Sequence, residues 1–471
     1  MRDGSLPGVG GSARRRPIDP YRTICLFHSQ TQVLTDNALD MAIVNVPKAS
    51  SLTSAESTDK RALAVVTTLF FMWGFLTCLN DILVPHLKAI FDLNYAEVML
   101  VQFAFFSAYF VFALPSGRLI EGIGYQKSMV VGLCIMGFGA LLFLPAASVP
   151  SFALFLAALI VLAAGITLLQ VSANPYVSVL GPERTASSRL NLTQAFNSLG
   201  TTLAPYFGGL LILSSAPKTI SEMHRMSSEA LQSYRLGQAS SVKLPYILIA
   251  VTLFLLALAI ARFHLPAILQ SKTSAASDAT SRETSVWTIR PLVFGVIGIF
   301  LYVGAEVSIG SFLVNYFGQP NIGGMTPQVA AKYVSFYWGS AMVGRFIGSA
   351  LLQKIRAGRL LGLAAITAGL LVVASMSTAG PVAMWTIILV GLFNSVMFPS
   401  IFTLGIAGLG PLTGKGSGLL IMAIVGGAII PVLEGALADR IGIQMAFILP
   451  VLCYIYIAYY GFRGSRQPVA A

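Results

Sequence analysis

The chain has 471 residues, of which 56% are hydrophobic and only 10% are charged, with a formal net charge of +12. A soluble domain carries about 25% charged residues, so this composition excludes a water-soluble globular protein. Apolar runs of about 20 residues recur along the sequence, and each is long enough to cross the hydrocarbon core of a bilayer. The sequence therefore predicts an all-α polytopic membrane protein that lies in the lipid bilayer.

Twelve spans are predicted in chain order. The first six are 62–85 or beyond, 96–120, 128–147, 151–179, 190–213 and 245–265, and the second six are 292–317, 333–353, 360–378, 381–406, 418–437 and 444–460. A polar stretch rich in Ser, Thr and Ala separates the two sets and is typical of a flexible connector. We expect a six-helix bundle at 61–265, a cytoplasmic linker at 266–290, a second six-helix bundle at 291–464 and a tail at 465–471.

The segment before the first span, residues 1–60, is predicted to be a disordered cytoplasmic stretch. It contains the run Arg14-Arg15-Arg16 and has no helical pattern in its first forty residues. An alternative is that translation starts at Met41, since a polar tail of ordinary length runs from there to Lys60.

Basic residues gather in the even-numbered connections and in the C-terminal tail. The examples are Arg118, Lys127, Arg184, Arg189, Lys354, Arg356, Arg359, Lys415, Arg463 and Arg466. The positive-inside rule then predicts a multi-pass protein of the cell inner (plasma) membrane with both termini cytoplasmic. We attribute the positive net charge to this membrane topology, and we expect no nucleic-acid partner. The dispersed Cys and His residues favour neither a metal site nor a cofactor.

Two short sequence patterns of the first set of spans recur in the second set. Gly117-Arg118-Leu119 at the end of span two returns as Gly344-Arg345-Phe346 at the end of span eight. Pro175, followed by Leu180-Gly181, returns as Pro399, followed by Leu404-Gly405, at nearly the same offset. The pattern indicates a duplicated six-helix unit, and six plus six helices with a polar linker is the layout of the major facilitator superfamily.

Two carboxylates, Asp81 in span one and Glu306 in span seven, lie inside apolar segments. A charge at the centre of a membrane helix costs about 2.5–3.5 kcal/mol on insertion scales, so such residues indicate an ionisable pathway. The alternatives are an interfacial acid solvated from outside for Asp81, and a structural acid paired across helices for Glu306. Glu434, near Asp439 and Arg440, is interpreted as a rim residue.

Uncharged polar residues lie on the inward faces of several spans. Gln170 and Asn174 share one face before Pro175, and Asn394 is the repeat counterpart of Gln170. Span five carries a polar stripe of Asn191, Gln194, Ser198 and Thr201. Amides can donate and accept, which suits neighbouring sugar hydroxyls, whereas helix–helix hydrogen bonding is the alternative for each. The tryptophans Trp73, Trp338 and Trp385 can stack on a pyranose or serve packing alone.

Four strings carry a resemblance to a known family. They are Asn80-Asp81-Ile82-Leu83, Ala173-Asn174-Pro175, the stretch 189–198 and Tyr302-Val303-Gly304-Ala305-Glu306. The chain resembles the fucose–proton symporter family, in particular its glucose/galactose transporter branch, over roughly 62–465. The resemblance implies sugar uptake by alternating access with proton coupling, and it places the family's essential membrane acid on Asp81.

The chain departs from the fucose branch at two positions. The second acid of that branch falls on Gln170, which cannot ionise, whereas Glu306 stands where that branch has Gln. The departure suggests that the second acid has moved to the other half. We therefore predict Asp81 and Glu306 as proton-coupling residues. The predicted sugar ligands are Asn80, Gln170, Asn174, Gln194, Asn197, Asn394 and Trp73.

The predicted function is import of a hexose, either glucose/galactose or fucose, by symport with H⁺, carried out by a monomer. Coupling to Na⁺ remains an alternative, and so does a drug/proton antiporter of the same fold, which would need a large apolar cavity. A sugar sensor without transport is also open. A membrane enzyme would need a catalytic His or paired acids on a loop, and the sequence offers neither.

Overall fold

The structure is a computed structural model that describes residues 58–91, 95–149, 151–211, 225–230, 233–234, 237, 243–266 and 285–466. Within these ranges the backbone alone is described at residues 76–91, 95–100, 102, 205–211, 327 and 328. Residues 1–57 of the predicted N-terminal segment, most of the linker and the end of the tail lie outside the described residues.

The described part of the chain is helical and contains no strand, as the sequence predicts. The long helices of the described residues are α1 (Lys60–Phe91), α2 (Tyr95–Ile123), α3 (Tyr125–Ser148), α4 (Phe152–Val179), α5 (Ala186–Leu211), α6 (Lys243–Arg262), α7 (Arg290–Gly318), α8 (Pro327–Lys354), α9 (Ala357–Ser377), α10 (Gly380–Ile406), α11 (Gly410–Ile441) and α12 (Ile443–Gly464). Within the described residues, nine of these helices are long and apolar enough to cross a membrane.

Predicted and observed spans differ most where polar residues begin or end a helix. Helix α8 starts six residues before the predicted Tyr333, because Pro327 stands at its first helical position and fixes the backbone angle there. Helix α5 starts four residues early and α11 eight, since their first turns carry serines, glycines and Lys415. These first turns pack against helices of the other set, through Ser188 of α5 and Gly414 of α11, which hydropathy alone cannot register.

The helix contacts repeat when every label is shifted by six. In the first set α1 packs on α5, α3 on α4 and α6, and α2 on α4. In the second set α7 packs on α11, α9 on α10 and α12, and α8 on α10. The two most extensive contacts between the sets, α2 with α11 and α5 with α8, exchange under the same shift, and so do the smaller contacts of α4 with α11 and α5 with α10. This pattern is what a duplicated unit with a pseudo-twofold axis produces, as the repeated strings predict.

The repeated prolines bend the backbone differently. Pro175 lies inside an unbroken α4, whereas α10 consists of two helical segments, Gly380–Asn394 and Met397–Ile406, with a turn between them. Proline clashes with the carbonyl of the residue four positions earlier, and for Pro399 that residue is Ser395, in the turn. The interruption of α10 therefore lies at the carbonyl that Pro399 crowds, whereas α4 accommodates Pro175 without a break.

One end of the bundle carries the basic connections between α2 and α3, α4 and α5, α8 and α9, and α10 and α11; we call it the basic end. Here the two sets of helices touch. A Cβ on Gly117 of α2 would lie 2.8 Å from the carbonyl oxygen of Gly414 on α11, so only glycine permits this approach. Lys415 and Glu121 add an ion pair at 3.8 Å, half exposed and therefore worth about 0–1 kcal/mol. Backbone packing, rather than charge, closes this side.

Arg189 does not behave as a loop charge, contrary to its place among the basic connections. Its side chain is buried at the start of α5 and donates to carbonyl oxygens at the end of α4, including Val177 at 3.1 Å and Ser178. The last carbonyls of a helix have no partner within that helix. Arg189 supplies those partners, and its charge suits the negative end of the helix dipole.

Candidate functional site

A cavity of about 160 Å³ lies at the centre of the molecule, where the two sets of helices meet. Its lining residues are Trp73 of α1, Gln170 of α4, Gln194 and Asn197 of α5, Tyr302, Val303 and Glu306 of α7, Arg345 of α8, Phe398 and Pro399 of α10, and Ile424 of α11. Five of the residues predicted as functional, Trp73, Gln170, Gln194, Asn197 and Glu306, are thus brought to one place.

The first set of helices supplies an uncharged amide wall. Gln170 donates through Nε2 to the Tyr109 hydroxyl at 2.7 Å, and Asn197 donates through Nδ2 to the Phe70 carbonyl at 2.9 Å. These bonds orient both amides and leave their carbonyl oxygens for another partner. Gln194 is 7% exposed, and its side chain makes no hydrogen bond to the described residues. This wall can therefore receive hydroxyl groups as donors or acceptors.

Close helix packing fixes the amide wall in place. A side chain at Gly74 of α1 would overlap the Asn197 carbonyl of α5, and one at Gly200 of α5 would overlap the Phe71 carbonyl of α1. The two glycines let α1 and α5 touch backbone to backbone. Trp73, which is 8% exposed, is thereby held beside Asn197 with its ring on the cavity.

The second set of helices supplies the charges. Glu306 is half-buried, and its Oε1 atom is buried without a hydrogen-bond partner among the described residues. The Tyr302 hydroxyl and the Arg345 guanidinium are its electrostatic neighbours. Arg345 reaches across to donate through Nη1 to the Ser198 hydroxyl of α5. The cavity thus has a carboxyl and a guanidinium on one wall and amides on the other.

Asn394 does not line the cavity. It is fully buried, donates through Nδ2 to the Tyr337 hydroxyl at 3.0 Å, and accepts from the Tyr454 hydroxyl at 2.8 Å. Asn174 is also fully buried, and neither of its amide atoms has a hydrogen-bond partner within the described residues. The side chains of Asn80 and Asp81 lie outside the described residues, although the backbone of both belongs to α1.

Two of the three candidate stacking tryptophans face away from the cavity. Trp338 is 44% and Trp385 is 47% exposed, and Trp385 packs edge-on against Tyr333. The outward faces of the bundle carry many such apolar side chains, as expected of a surface covered by lipid acyl chains. Only Trp73, among the four tryptophans of the chain, contributes to the cavity lining.

Glu434 is not a rim residue, which corrects the interpretation from sequence. It is fully buried in α11, and neither carboxyl oxygen has a hydrogen-bond partner among the described residues. Asp439 and Arg440, which suggested an exposed site, are themselves exposed. Asp439 comes five residues after Glu434, which at about 3.6 residues per turn places it on the far side of α11. The neighbours in sequence therefore do not share the environment of Glu434. Its polar neighbours are Ser308 of α7 and Cys453 of α12.

Arg345 is the main site residue that the sequence reasoning did not single out. It appeared there only as a repeat landmark, because its counterpart Arg118 reads as a loop charge and is indeed exposed. Arg345 instead lies nine residues before the end of α8, well inside the span. The sequence already places this charge deep inside a predicted span, and that depth was the signal that could have identified Arg345.

The whole-chain comparisons agree with this architecture. The family model of the Major Facilitator Superfamily matches residues 63–424. A glucose/galactose transporter of Brucella abortus biovar 1 (strain 9-941) is 50% identical over 426 residues, covering 90% of this chain and 99% of that protein. An L-fucose-proton symporter of Escherichia coli (strain K12) is 36% identical over 398 residues, covering 84% of this chain and 91% of that protein.

Solved structures give the same result. The crystal structure of the transporter FucP in the outward conformation superposes with a TM-score of 0.80 at 35% identity, covering 86% of this chain and 99% of that chain. Sequence family, close relatives and fold therefore coincide. The chain belongs to the major facilitator superfamily and, within it, to the fucose–proton symporter family, in the branch of the glucose/galactose transporters.

Proposed function

We propose that this protein imports a hexose, glucose or galactose in the first place, by symport with H⁺. The observation that carries the proposal is the central cavity, in which an amide wall with one tryptophan faces a carboxyl and a guanidinium. Neutral amides match hydroxyls, which both donate and accept. Relatives named glucose/galactose transporter support the choice of hexose.

The size of the cavity supports a small polar substrate. Liquid water takes about 30 Å³ per molecule, so about 160 Å³ has room for about five waters. Pockets for drug-sized ligands are about 300–1,000 Å³ and mostly apolar. A single sugar ring is the better match for this cavity. A separate, mostly apolar pocket of about 520 Å³ between α1 and α5 has the size that a drug/proton antiporter would need.

In the proposed binding mode, Gln170, Gln194 and Asn197 hold the sugar hydroxyls and Trp73 covers one face of the ring. Asn174 and Asn394 have no part in it, because neither lines the cavity. Asn80 and Asp81 follow the cavity-lining Trp73 along α1, about two turns further from the basic end, and Asp81 is proposed as the proton-coupling acid. Glu306 either orders the sugar or shares that proton.

Coupling needs the proton to change the relative stability of the outward- and inward-facing states. One proton that moves down 100 mV supplies about 2.3 kcal/mol, which is enough for roughly 50-fold accumulation of sugar. We further propose that the basic end is cytoplasmic, that the protein lies in the cell inner membrane, and that residues 61–265 and 291–464 are the two bundles that rock against each other.

Reconstituted liposomes test the proposal directly. Labelled glucose, galactose and fucose are offered separately, with an imposed pH gradient, an imposed sodium gradient or neither. We expect accumulation of a hexose with the pH gradient alone. Accumulation that follows sodium would replace the coupling ion, and the absence of uptake for all three sugars would refute the function.

A second experiment tests the coupling residues. Asp81→Asn should abolish accumulation but keep sugar exchange between labelled and unlabelled pools, because exchange needs no net proton movement. Glu306→Gln is measured in parallel. If Asp81→Asn still concentrates sugar against its gradient, Asp81 is not the coupling acid.

A further inference from the structure

Helices α5 and α8 meet along a buried polar strip that we call the α5–α8 seam, formed by Ser188, Asn191 and Ser198 of α5 with Arg345 and Ser349 of α8. At its basic end Ser188 donates to the Ser349 carbonyl at 2.7 Å, and Ser349 donates back to the Ser188 carbonyl at 3.0 Å. Both serines are 4–5% exposed. The seam therefore seals one side of the molecule between the cavity and the basic end.

Arg345 stands where the seam reaches the cavity. Its carbonyl accepts from Asn191 Nδ2 at 2.7 Å, and its Nη1 donates to Ser198, so the residue holds α5 through both backbone and side chain. The same guanidinium lines the cavity with Glu306. A single residue thus belongs to both the closure and the proposed binding site.

The guanidinium has donors to spare. Arginine carries five N–H groups, and its Nε is buried here without a partner among the described residues. Its titratable neighbours in that part of the chain are Glu306 and Tyr302 of α7 and Tyr337 of α8. Glu306 Oε1 also lacks a partner. A hydroxylated ligand in the cavity would offer acceptors to these spare donors, and would thereby draw the guanidinium away from Ser198.

We propose that Arg345 is a sugar-released latch, the residue through which sugar binding opens the basic end. This proposal rests on the proposed function. In the empty carrier Arg345 holds Ser198 and keeps the α5–α8 seam closed. Sugar hydroxyls, together with Glu306, draw the guanidinium into the cavity, and Ser198 is released. Arg345 thus contacts the sugar on one side and the seam on the other, and the seam is what moves.

The latch has a consequence for coupling. A symporter loses its gradient if the protonated carrier crosses without sugar, and a seam that stays closed until sugar arrives prevents that crossing. Removing the acceptor of the latch should therefore allow protons to pass in the absence of sugar. The site itself should keep its ligands, because Ser198 is not among the described residues that line the cavity.

The test is Ser198→Ala in sugar-free proteoliposomes that contain a pH-sensitive dye, with an imposed pH gradient. We expect proton entry to rise at least about fivefold over wild type, the lower end of ordinary coupling between sites, while sugar exchange continues. Thr201→Ala is the matched control, because this hydroxyl, three residues further on α5, donates only to the Ser198 carbonyl of its own helix at 2.8 Å. It should leak no more than wild type.

Arg345→Lys gives a second measurement, since lysine keeps the charge but not the fork of donors. It should leak in the same way, with the melting temperature of each variant recorded as a check on folding. If wild type moves protons with sugar but Ser198→Ala leaks no more than Thr201→Ala, the latch is wrong and the symport proposal stands. If no hexose drives protons in wild type, both proposals fall.

Discussion

Asn394 was predicted from the sequence to hold sugar, yet its surroundings assign it a structural role that can be measured. The perturbation is Asn394→Ala. It removes the acceptor of the Tyr454 hydroxyl and the donor to the Tyr337 hydroxyl, and both phenols are buried. The Tyr337 hydroxyl has one remaining contact, to the Glu306 carbonyl at 3.4 Å, which is the outer limit for a hydrogen bond.

The expected loss of stability follows from these two bonds. Interhelical hydrogen bonds in membranes average about 0.6 kcal/mol each, which gives about 1.2 kcal/mol for two. A buried polar group left unpaired costs about 1–3 kcal/mol, which raises the upper estimate to about 6 kcal/mol. Asn394→Ala should therefore lower the apparent melting temperature in detergent clearly, whereas the sugar dissociation constant of the folded fraction should change by less than about twofold, or about 0.4 kcal/mol.

Gln194→Ala is the matched comparison, because Gln194 lines the cavity and makes no side-chain bond to the described residues. Losing one neutral hydrogen bond to sugar, at about 0.5–1.5 kcal/mol, should weaken binding about two- to twelvefold and leave the melting temperature nearly unchanged. Melting in detergent and equilibrium dialysis of labelled hexose measure both quantities. If Asn394→Ala instead weakens binding as Gln194→Ala does and melts like wild type, the structural assignment of Asn394 is refuted.

Substitutions at three other sites separate packing from chemistry. Glu434→Gln should fold and transport like wild type, because it keeps the shape of the buried carboxyl without its charge. Glu434→Lys should fail to accumulate in the membrane, because a charge buried there is costly, and a blot of membrane fractions measures this. Arg189→Ala should reduce the melting temperature more than Arg184→Ala, since Arg189 alone caps the end of α4; equal effects would contradict the cap. Gly426→Val should prevent the contact of α7 and α11, because a Cβ at that position overlaps the Phe300 carbonyl, and loss of monodisperse protein on size exclusion would register it.

The sequence was sufficient for the fold because the bilayer restricts what an apolar segment can do. A run of about 20 apolar residues must satisfy its backbone within a helix, so each run predicts one span. Errors are confined to helix ends such as the start of α8, where Pro327 and polar residues extend the helix beyond the apolar run. The repeated strings then give the pairing of the two halves, since a duplicated unit repeats its contacts.

The site was only partly predictable, because periodicity identifies the inward face of a helix but not what that face meets. Gln170 and Asn394 occupy equivalent positions in the repeat, and both are buried amides bonded to a tyrosine hydroxyl. Gln170 nevertheless reaches the cavity, whereas Asn394 has both ends of its amide taken by Tyr337 and Tyr454. The difference lies in α8 and α12, which are distant in sequence, so no local pattern could contain it.

The stripe on α5 gives the same lesson within a single helix. Its four residues share a face, as predicted, but they divide into three roles along its length. Asn191 and Ser198 bond to Arg345 across the seam, Gln194 faces the cavity, and Thr201 bonds to its own helix. The division depends on where α8 crosses α5, which is a property of the assembled bundle.

Duplication makes the two halves of this protein alike, whereas proton coupling requires them to differ, and the two walls of the cavity do differ. Gene duplication gives two halves with equivalent helices, but two equivalent walls would bind sugar without distinguishing the protonation state. Among the described residues, the first set of helices contributes only neutral polar groups to the cavity, and the second contributes Glu306 and Arg345. The exposed Arg118 and the cavity-lining Arg345 share one repeat position and have diverged in role. Because a charge inside the membrane is costly, this asymmetry is retained only where the charge does work in the cycle. If Glu306 shares the coupling proton with Asp81, replacing Glu306 and Arg345 with neutral residues should leave a sugar carrier that equilibrates without accumulating.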